Sequence, residues 1–132
     1  MASINPTPLV LIVDDEEPVR ELYRKYLELS TGMMVVGAGT AQDALDKLER
    51  VQPDVIILDV ALPDMSGLKL LDRLRSHPTC YRVPVVLLTG HDLAGKPEAA
   101  ARVFSKPLRP EELEREILQL TREGRAARAA RA

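Results

Sequence analysis

The sequence holds a single cysteine, Cys80, which excludes an internal disulfide framework and a multi-cysteine zinc site. No apolar run approaches the roughly 20 residues a membrane-spanning helix needs. The first residues have neither the basic region nor the long apolar stretch of a secretory signal. Charge of one sign is lacking too: Lys+Arg 18 against Asp+Glu 20 leaves a formal net charge of −2. No global field therefore draws nucleic acid, and no local basic patch occurs before the last few residues. These absences lead to the expectation of a cytoplasmic chain with no membrane and no nucleic-acid partner. What is present, 132 residues with 45% hydrophobic and 29% charged, suits one compact domain.

Leu9 to Val13 are five consecutive apolar residues, preceded by Pro8 and closed by Asp14 and Asp15. Such a run reads as a strand buried on both faces. Similar runs recur at Met33 to Val36, Val55 to Leu58 and Val85 to Leu88. Between them the period becomes helical. Val19, Leu22, Tyr23, Tyr26 and Leu27 follow Pro18, a residue suited to the first turn of a helix. Ala41, Ala44, Leu45 and Leu48 stand behind Thr40, a capping residue with Asp43 three positions on. Leu68, Leu71 and Leu74 follow Ser66-Gly67, and Leu113, Ile117 and Leu120 follow Pro110-Glu111-Glu112. Alternating strands and helices predict right-handed crossovers and an α/β, doubly wound parallel sheet with its site beyond the carboxyl ends of the strands.

Gly90 to Ser105 has to supply a helix and a fifth strand, yet offers only Ala99 to Ala101 as helix formers and Val103-Phe104 as strand. A short or irregular helix is expected there, since Pro97 disfavours helical backbone at Lys96. The domain is expected to span residues 7–121. Residues 122–132, with Arg122, Arg125, Arg128 and Arg131 among alanines, read as a tail or linker or as an extension of the last helix.

The doubly wound order makes neighbours of the first and third strands, so Asp14, Asp15 and Asp59 should meet at one rim of the sheet. Like charges about 4 Å apart repel by roughly 4 kcal/mol at an effective dielectric near 20, so such a cluster needs a proton, a lysine or a divalent cation. An open, oxygen-rich site suits magnesium. Thr89 ends the fourth run and Lys106 precedes Pro107 where the fifth strand should end, so a hydroxyl and a cation face the acids. That set suits phosphoryl chemistry: Asp59 as nucleophile, Lys106 and magnesium to neutralise phosphoryl oxygens, Thr89 to donate a hydrogen bond.

The stretches Leu11-Ile12-Val13-Asp14-Asp15-Glu16, Asp54 to Gly67 with its Leu-Pro-Asp-Met-Ser-Gly ending, Val85 to Gly90, and Lys106-Pro107 together resemble the response-regulator receiver domains of two-component signalling. The resemblance runs from about Leu9 to about Leu120. It implies a flavodoxin-like (βα)5 fold with strand order 2-1-3-4-5. It further implies that Asp59 accepts a phosphoryl group from a histidine kinase or phosphotransfer protein. Asp15 and Asp59 with the Ala61 carbonyl would bind magnesium, Asp14 acting through water. Thr89 and Lys106 would contact the phosphoryl group, and the Lys106-Pro107 bond would be cis. The expected output is a conformational signal to a downstream protein by a monomer or a phosphorylation-dependent dimer, with no catalysis beyond the domain's own phosphorylation and dephosphorylation.

Three departures stand out. Receivers usually carry a switch aromatic three residues before the lysine, and here that position is Val103. Phe104 would take the role only if the strand slipped by one residue, which reverses the faces; otherwise it packs in the core. The interval from Thr89 to Lys106 looks about one helical turn short, which predicts a non-standard partner surface. His91, two residues after Thr89, could modulate dephosphorylation from above the site. His77 and Cys80 are expected to be structural, and Arg109 stands where a capping Ser or Asp would be expected. Phosphatases of the haloacid dehalogenase type share the aspartate nucleophile but need an acid where this chain has Ala61. A phosphorylation-independent pseudo-receiver is the other alternative, and only the altered switch speaks for it.

Overall fold

The computed structural model describes residues 7–90 and 97–131, with side chains through residue 126. Five strands and four helices follow in the order β1 (Leu9–Val13), α1 (Glu17–Thr31), β2 (Met34–Ala38), α2 (Ala41–Leu48), β3 (Val55–Asp59), α3 (Gly67–Arg75), β4 (Val85–Thr89), β5 (Arg102–Ser105) and α4 (Pro110–Arg131). All strand pairs are parallel and the sheet order is β2-β1-β3-β4-β5.

The continuous apolar runs are explained by a core on each face. In β1, Leu11 and Val13 join Ile56 and Leu58 of β3 and Leu87 of β4 against α2 and α3. Val10 and Ile12, with Ile57 and Leu88, pack against Tyr23 and Leu27 of α1 and Leu113, Ile117 and Leu120 of α4. Alternation along a strand puts neighbouring residues on opposite faces, and since both faces are covered the central strands are apolar up to Asp59 and Thr89 at the carboxyl ends of β3 and β4.

The helix starts follow their local chemistry. Thr40 Oγ1 accepts the Asp43 N–H at 2.9 Å at the head of α2, and Ser66 Oγ accepts the Leu68 N–H at 3.1 Å at the head of α3. α1 has Pro in its first turn and ends at Gly32, whose φ of 74° suits glycine and whose N–H bonds the Glu28 carbonyl. Arg109, without a capping side chain, instead engages Glu112 at 2.8 Å.

One expectation needs correction in its bounds. β2 runs from Met34 to Ala38, beyond the apolar run read from sequence, because pairing with β1 is made by the backbone and carries through Gly37 and Ala38. Met33 lies outside the strand yet is buried in the core. α4 continues unbroken through the arginine-rich stretch to Arg131. Between β4 and β5 the described residues hold a turn, with the Ala100 N–H bonding the Pro97 carbonyl at 3.1 Å, and no helix. His91 lies outside the described residues. Among the described residues no helix is long and apolar enough to cross a membrane.

Candidate functional site at the carboxyl edge of the sheet

Register decides which side chains share the rim. Val13 is level with Leu58, so Asp14 and Asp59 emerge side by side. Thr89 is level with Ser105, and the Lys106 N–H donates to the Thr89 carbonyl at 2.8 Å. Four strands thus deliver Asp14, Asp15, Asp59, Thr89 and Lys106 to one edge. Asp14, Asp59 and Thr89 are buried, and Asp15 is exposed at the mouth.

The lysine stands between two acids. Its Nζ lies 3.0 Å from Asp14 Oδ2 and 2.9 Å from Asp59 Oδ2. Burial works against its charge, but the hydrogen bonds it donates to Asp59 and Asp14 outweigh that and hold its pKa above the ordinary lysine value. The remaining carboxylate oxygens are held by backbone: Asp14 Oδ1 accepts the Glu16 N–H at 2.9 Å and Asp59 Oδ1 the Ala61 N–H at 3.1 Å. The Lys106-Pro107 bond is cis.

Asp14, Asp15 and Asp59 each offer an oxygen within 4.8 Å of the others. Oxygens sharing an octahedral magnesium ion at about 2.1 Å lie within roughly 4.2 Å of one another, so small rotations close this set on such an ion. One lysine offsets only part of the charge of three carboxylates, and an all-oxygen donor set favours a hard divalent cation. The cluster could therefore hold a metal.

The loop after β3 is shaped by Gly67, whose N–H bonds the Val60 carbonyl at 2.7 Å. A Cβ there would lie 2.2 Å from the Asp59 carbonyl oxygen and 2.8 Å from Val60 Cα. Only glycine lets the first turn of α3 press against the end of β3. In the sequence, a glycine at the first position of α3 is the one sign of that close approach. Asp64 stands in the Leu-Pro-Asp-Met-Ser-Gly motif, but its contact is visible only in the structure: its two carboxylate oxygens accept the Ala41 and Gln42 N–H groups at 2.9 Å each, capping α2 from the β3–α3 loop. No local pattern announces a bond across 23 positions.

α1 contributes two further contacts. Arg20 donates to the Asp14 carbonyl at 2.7 Å, its side chain lying over Gly37 and Gly39, where a Cβ would meet it at 3.5 and 3.3 Å. Tyr23 donates from its hydroxyl to the Leu108 carbonyl at 2.7 Å. In the sequence Tyr23 shows only as part of the apolar helical period, and nothing singles out Arg20.

At the switch position the register decides between the two readings of Phe104. β5 pairs one-to-one with β4 from Arg102 to Ser105, with no slip or bulge. Val103 therefore packs on the α2/α3 face beside Leu87, the face that Thr89 shares by alternation, while Phe104 packs in the α1/α4 core. Phe104 is not placed to couple to Thr89. His77 receives the Thr79 N–H on Nδ1 and Cys80 is fully buried, in keeping with structural roles.

An order of β2-β1-β3-β4-β5 with acids, a threonine and a lysine gathered at its carboxyl edge defines the α/β receiver class. The chain belongs to the response regulator receiver domain family, whose model matches residues 10–118. It is 36% identical over 115 residues to an uncharacterized 14.6 kDa protein in the sodA1 3′ region of Leptolyngbya boryana, covering 83% of this chain and 87% of that one. It is 32% identical over 123 residues to the alkaline phosphatase synthesis transcriptional regulatory protein PhoP of Bacillus subtilis, covering 89% of this chain and 50% of PhoP. The chain thus spans about half of that transcriptional regulator. A CheY-like response regulator receiver domain protein from Methanospirillum hungatei superposes with a TM-score of 0.81 at 26% identity, over 92% of this chain and 99% of that one.

Proposed function

We propose that the chain is a phosphoacceptor receiver of a two-component system, taking a phosphoryl group on Asp59 from a phosphohistidine of a histidine kinase or phosphotransfer protein. The reading is carried by the contact of Lys106 Nζ with both Asp14 and Asp59, at 3.0 and 2.9 Å, on the rim that Thr89 shares. A carboxylate oxygen of Asp59 attacks phosphorus. The new O–P bond forms as the N–P bond to the donor imidazole breaks, and the released imidazole takes its proton from solvent. Lys106 moves from its carboxylate partners to a phosphoryl oxygen, and Thr89 donates a hydrogen bond to another. Asp15 and Asp59, with the Ala61 carbonyl, would hold magnesium, and Asp14 would act through water. When bound, that ion would supply positive charge to offset the charge of the phosphoryl group.

Hydrolysis returns the domain: water attacks phosphorus, the Asp59 carboxylate leaves, and inorganic phosphate is released. No external substrate is turned over. The added charge biases a pre-existing equilibrium between surface conformations, which a downstream protein reads. Val103 in place of an aromatic favours a read-out that does not depend on a rotating ring, and is the one observation in favour of a pseudo-receiver.

The test is intact mass after incubation with magnesium and acetyl phosphate, beside Asp59→Asn. A labile single-phosphate adduct that needs magnesium and is absent from the variant is the expected result. No adduct, with candidate kinases also supplied, would sink the phosphoacceptor reading and leave the pseudo-receiver.

A further inference from the structure

We propose that Tyr23 is a positioning residue for phosphoryl transfer: from α1 its hydroxyl pins the segment that carries Lys106, and through that segment sets the ammonium against Asp59. The proposal rests on the phosphoacceptor reading above. Lys106 reaches Asp14 and Asp59 from the end of β5, where its own N–H is tied to the Thr89 carbonyl at 2.8 Å. The next residue, Pro107, has no N–H to give. The chain is caught again at Leu108, whose carbonyl accepts the Tyr23 hydroxyl at 2.7 Å across 85 positions of sequence. The turn bearing the lysine is thus held at one end by the sheet and at the other by α1.

Tyr23 is only 4% exposed, packed with Leu27, Leu113 and Ile117 in the α1/α4 core. Packing alone asks for a ring or a branched chain there. A hydroxyl at such depth is unfavourable unless bonded, and the Leu108 carbonyl would in turn be left unpaired without it. The hydroxyl also lies in the electrostatic reach of the site: burial raises its pKa, while Lys106 and Asp14 act on it in opposite directions. One turn earlier on the same helix, Arg20 holds the Asp14 carbonyl at 2.7 Å. α1 therefore grips the acid-bearing loop through Arg20 and the lysine-bearing loop through Tyr23.

The experiment compares the full chain with Tyr23→Phe, which keeps the ring and removes the donor. The first readout is the Cε–Hε resonance of Lys106 in 13C-lysine-labelled protein, assigned with Lys106→Arg. It is expected to stand apart from exposed lysines in the parent and to move toward them in Tyr23→Phe. The second is the rate of Asp59 phosphorylation by acetyl phosphate, expected to fall about three- to tenfold, as for loss of one buried hydrogen bond. A Lys106 resonance and rate unchanged by Tyr23→Phe would overturn the proposal even if the melting temperature fell, because a merely structural tyrosine moves only the latter. Should Tyr23→Phe fail to fold, 3-fluorotyrosine labelling keeps the hydroxyl as a stronger donor. The Lys106 resonance must then shift, and no shift overturns the proposal. If the parent itself takes no phosphoryl group, the phosphoacceptor reading falls, while the lysine resonance still decides whether Tyr23 sets Lys106.

Discussion

The two halves of the rim are built differently. On the β1/β3 side each loop is clamped more than once: the Glu16 N–H on Asp14, the Ala61 N–H on Asp59, Gly67 pressed against the Asp59 carbonyl, and Asp64 capping α2. On the β4/β5 side the described connection is a turn at Pro97 to Ala100 without a helix, β5 has only four residues, and the switch position is Val103. The half that would hold the phosphoacceptor and the metal brings its three acids, Asp14, Asp15 and Asp59, together. The other half has no helix among its described residues between β4 and β5 and carries Val103 where the resemblance leads one to expect an aromatic. On the proposed function, acceptance of the signal and its read-out would be separable demands on one sheet, joined at Thr89 and Lys106, where β4 meets β5.

That contrast can be broken most sharply at Asp59. Asp59→Asn should abolish the phosphate adduct in intact-mass measurements while urea unfolding remains cooperative; an adduct of undiminished yield would place the acceptor elsewhere. Next in size is Gly67→Ala. A Cβ 2.2 Å from the Asp59 carbonyl oxygen has only backbone to displace. The expected cost is about 3 kcal/mol in urea unfolding, with slower phosphorylation as the end of β3 moves.

Asp64→Asn is a smaller test with a signed pH dependence. The Ala41 and Gln42 N–H groups hold the Asp64 carboxyl below its ordinary value of 3.8. A depressed folded pKa contributes stability above the unfolded pKa that is lost as pH falls through the folded one. The parent should therefore lose part of its stability on acidification below about pH 4, and Asp64→Asn should start lower at neutral pH and lack that component. Equal acid titrations of stability in parent and variant would remove Asp64 from the account of α2. The smallest effect is expected on the other half of the rim: Val103→Tyr should change the phosphorylation rate less than about twofold, a free-energy change under ~0.5 kcal/mol. A large change in rate would show that the two halves are coupled more tightly than their construction suggests.

Much of this molecule was legible because strands covered on both faces must be apolar throughout and helices covered on one face must not. Those patterns located β1, β3, β4 and the four helices among the described residues, and topology then carried Asp14, Asp15, Asp59, Thr89 and Lys106 to one edge. Edge strands were less legible. β2 was misjudged by up to two residues at its carboxyl end, since Gly37 and Ala38 carry no apolar signal and are strand only because β1 pairs with them. Phe104 was open to two readings until the β4–β5 register settled its face.

Residue type and period by themselves determined the fold class and the membership of the acidic site, because burial and charge act on each residue wherever it lies. Only the tertiary structure decided what holds that site in place. Asp64 on α2, Arg20 on the Asp14 carbonyl, Tyr23 on the Leu108 carbonyl and Gly67 against Asp59 are contacts in which at least one partner is backbone. Every residue has a carbonyl and all but proline an N–H, so such partners leave no trace in a sequence until the chain has folded and chosen among them.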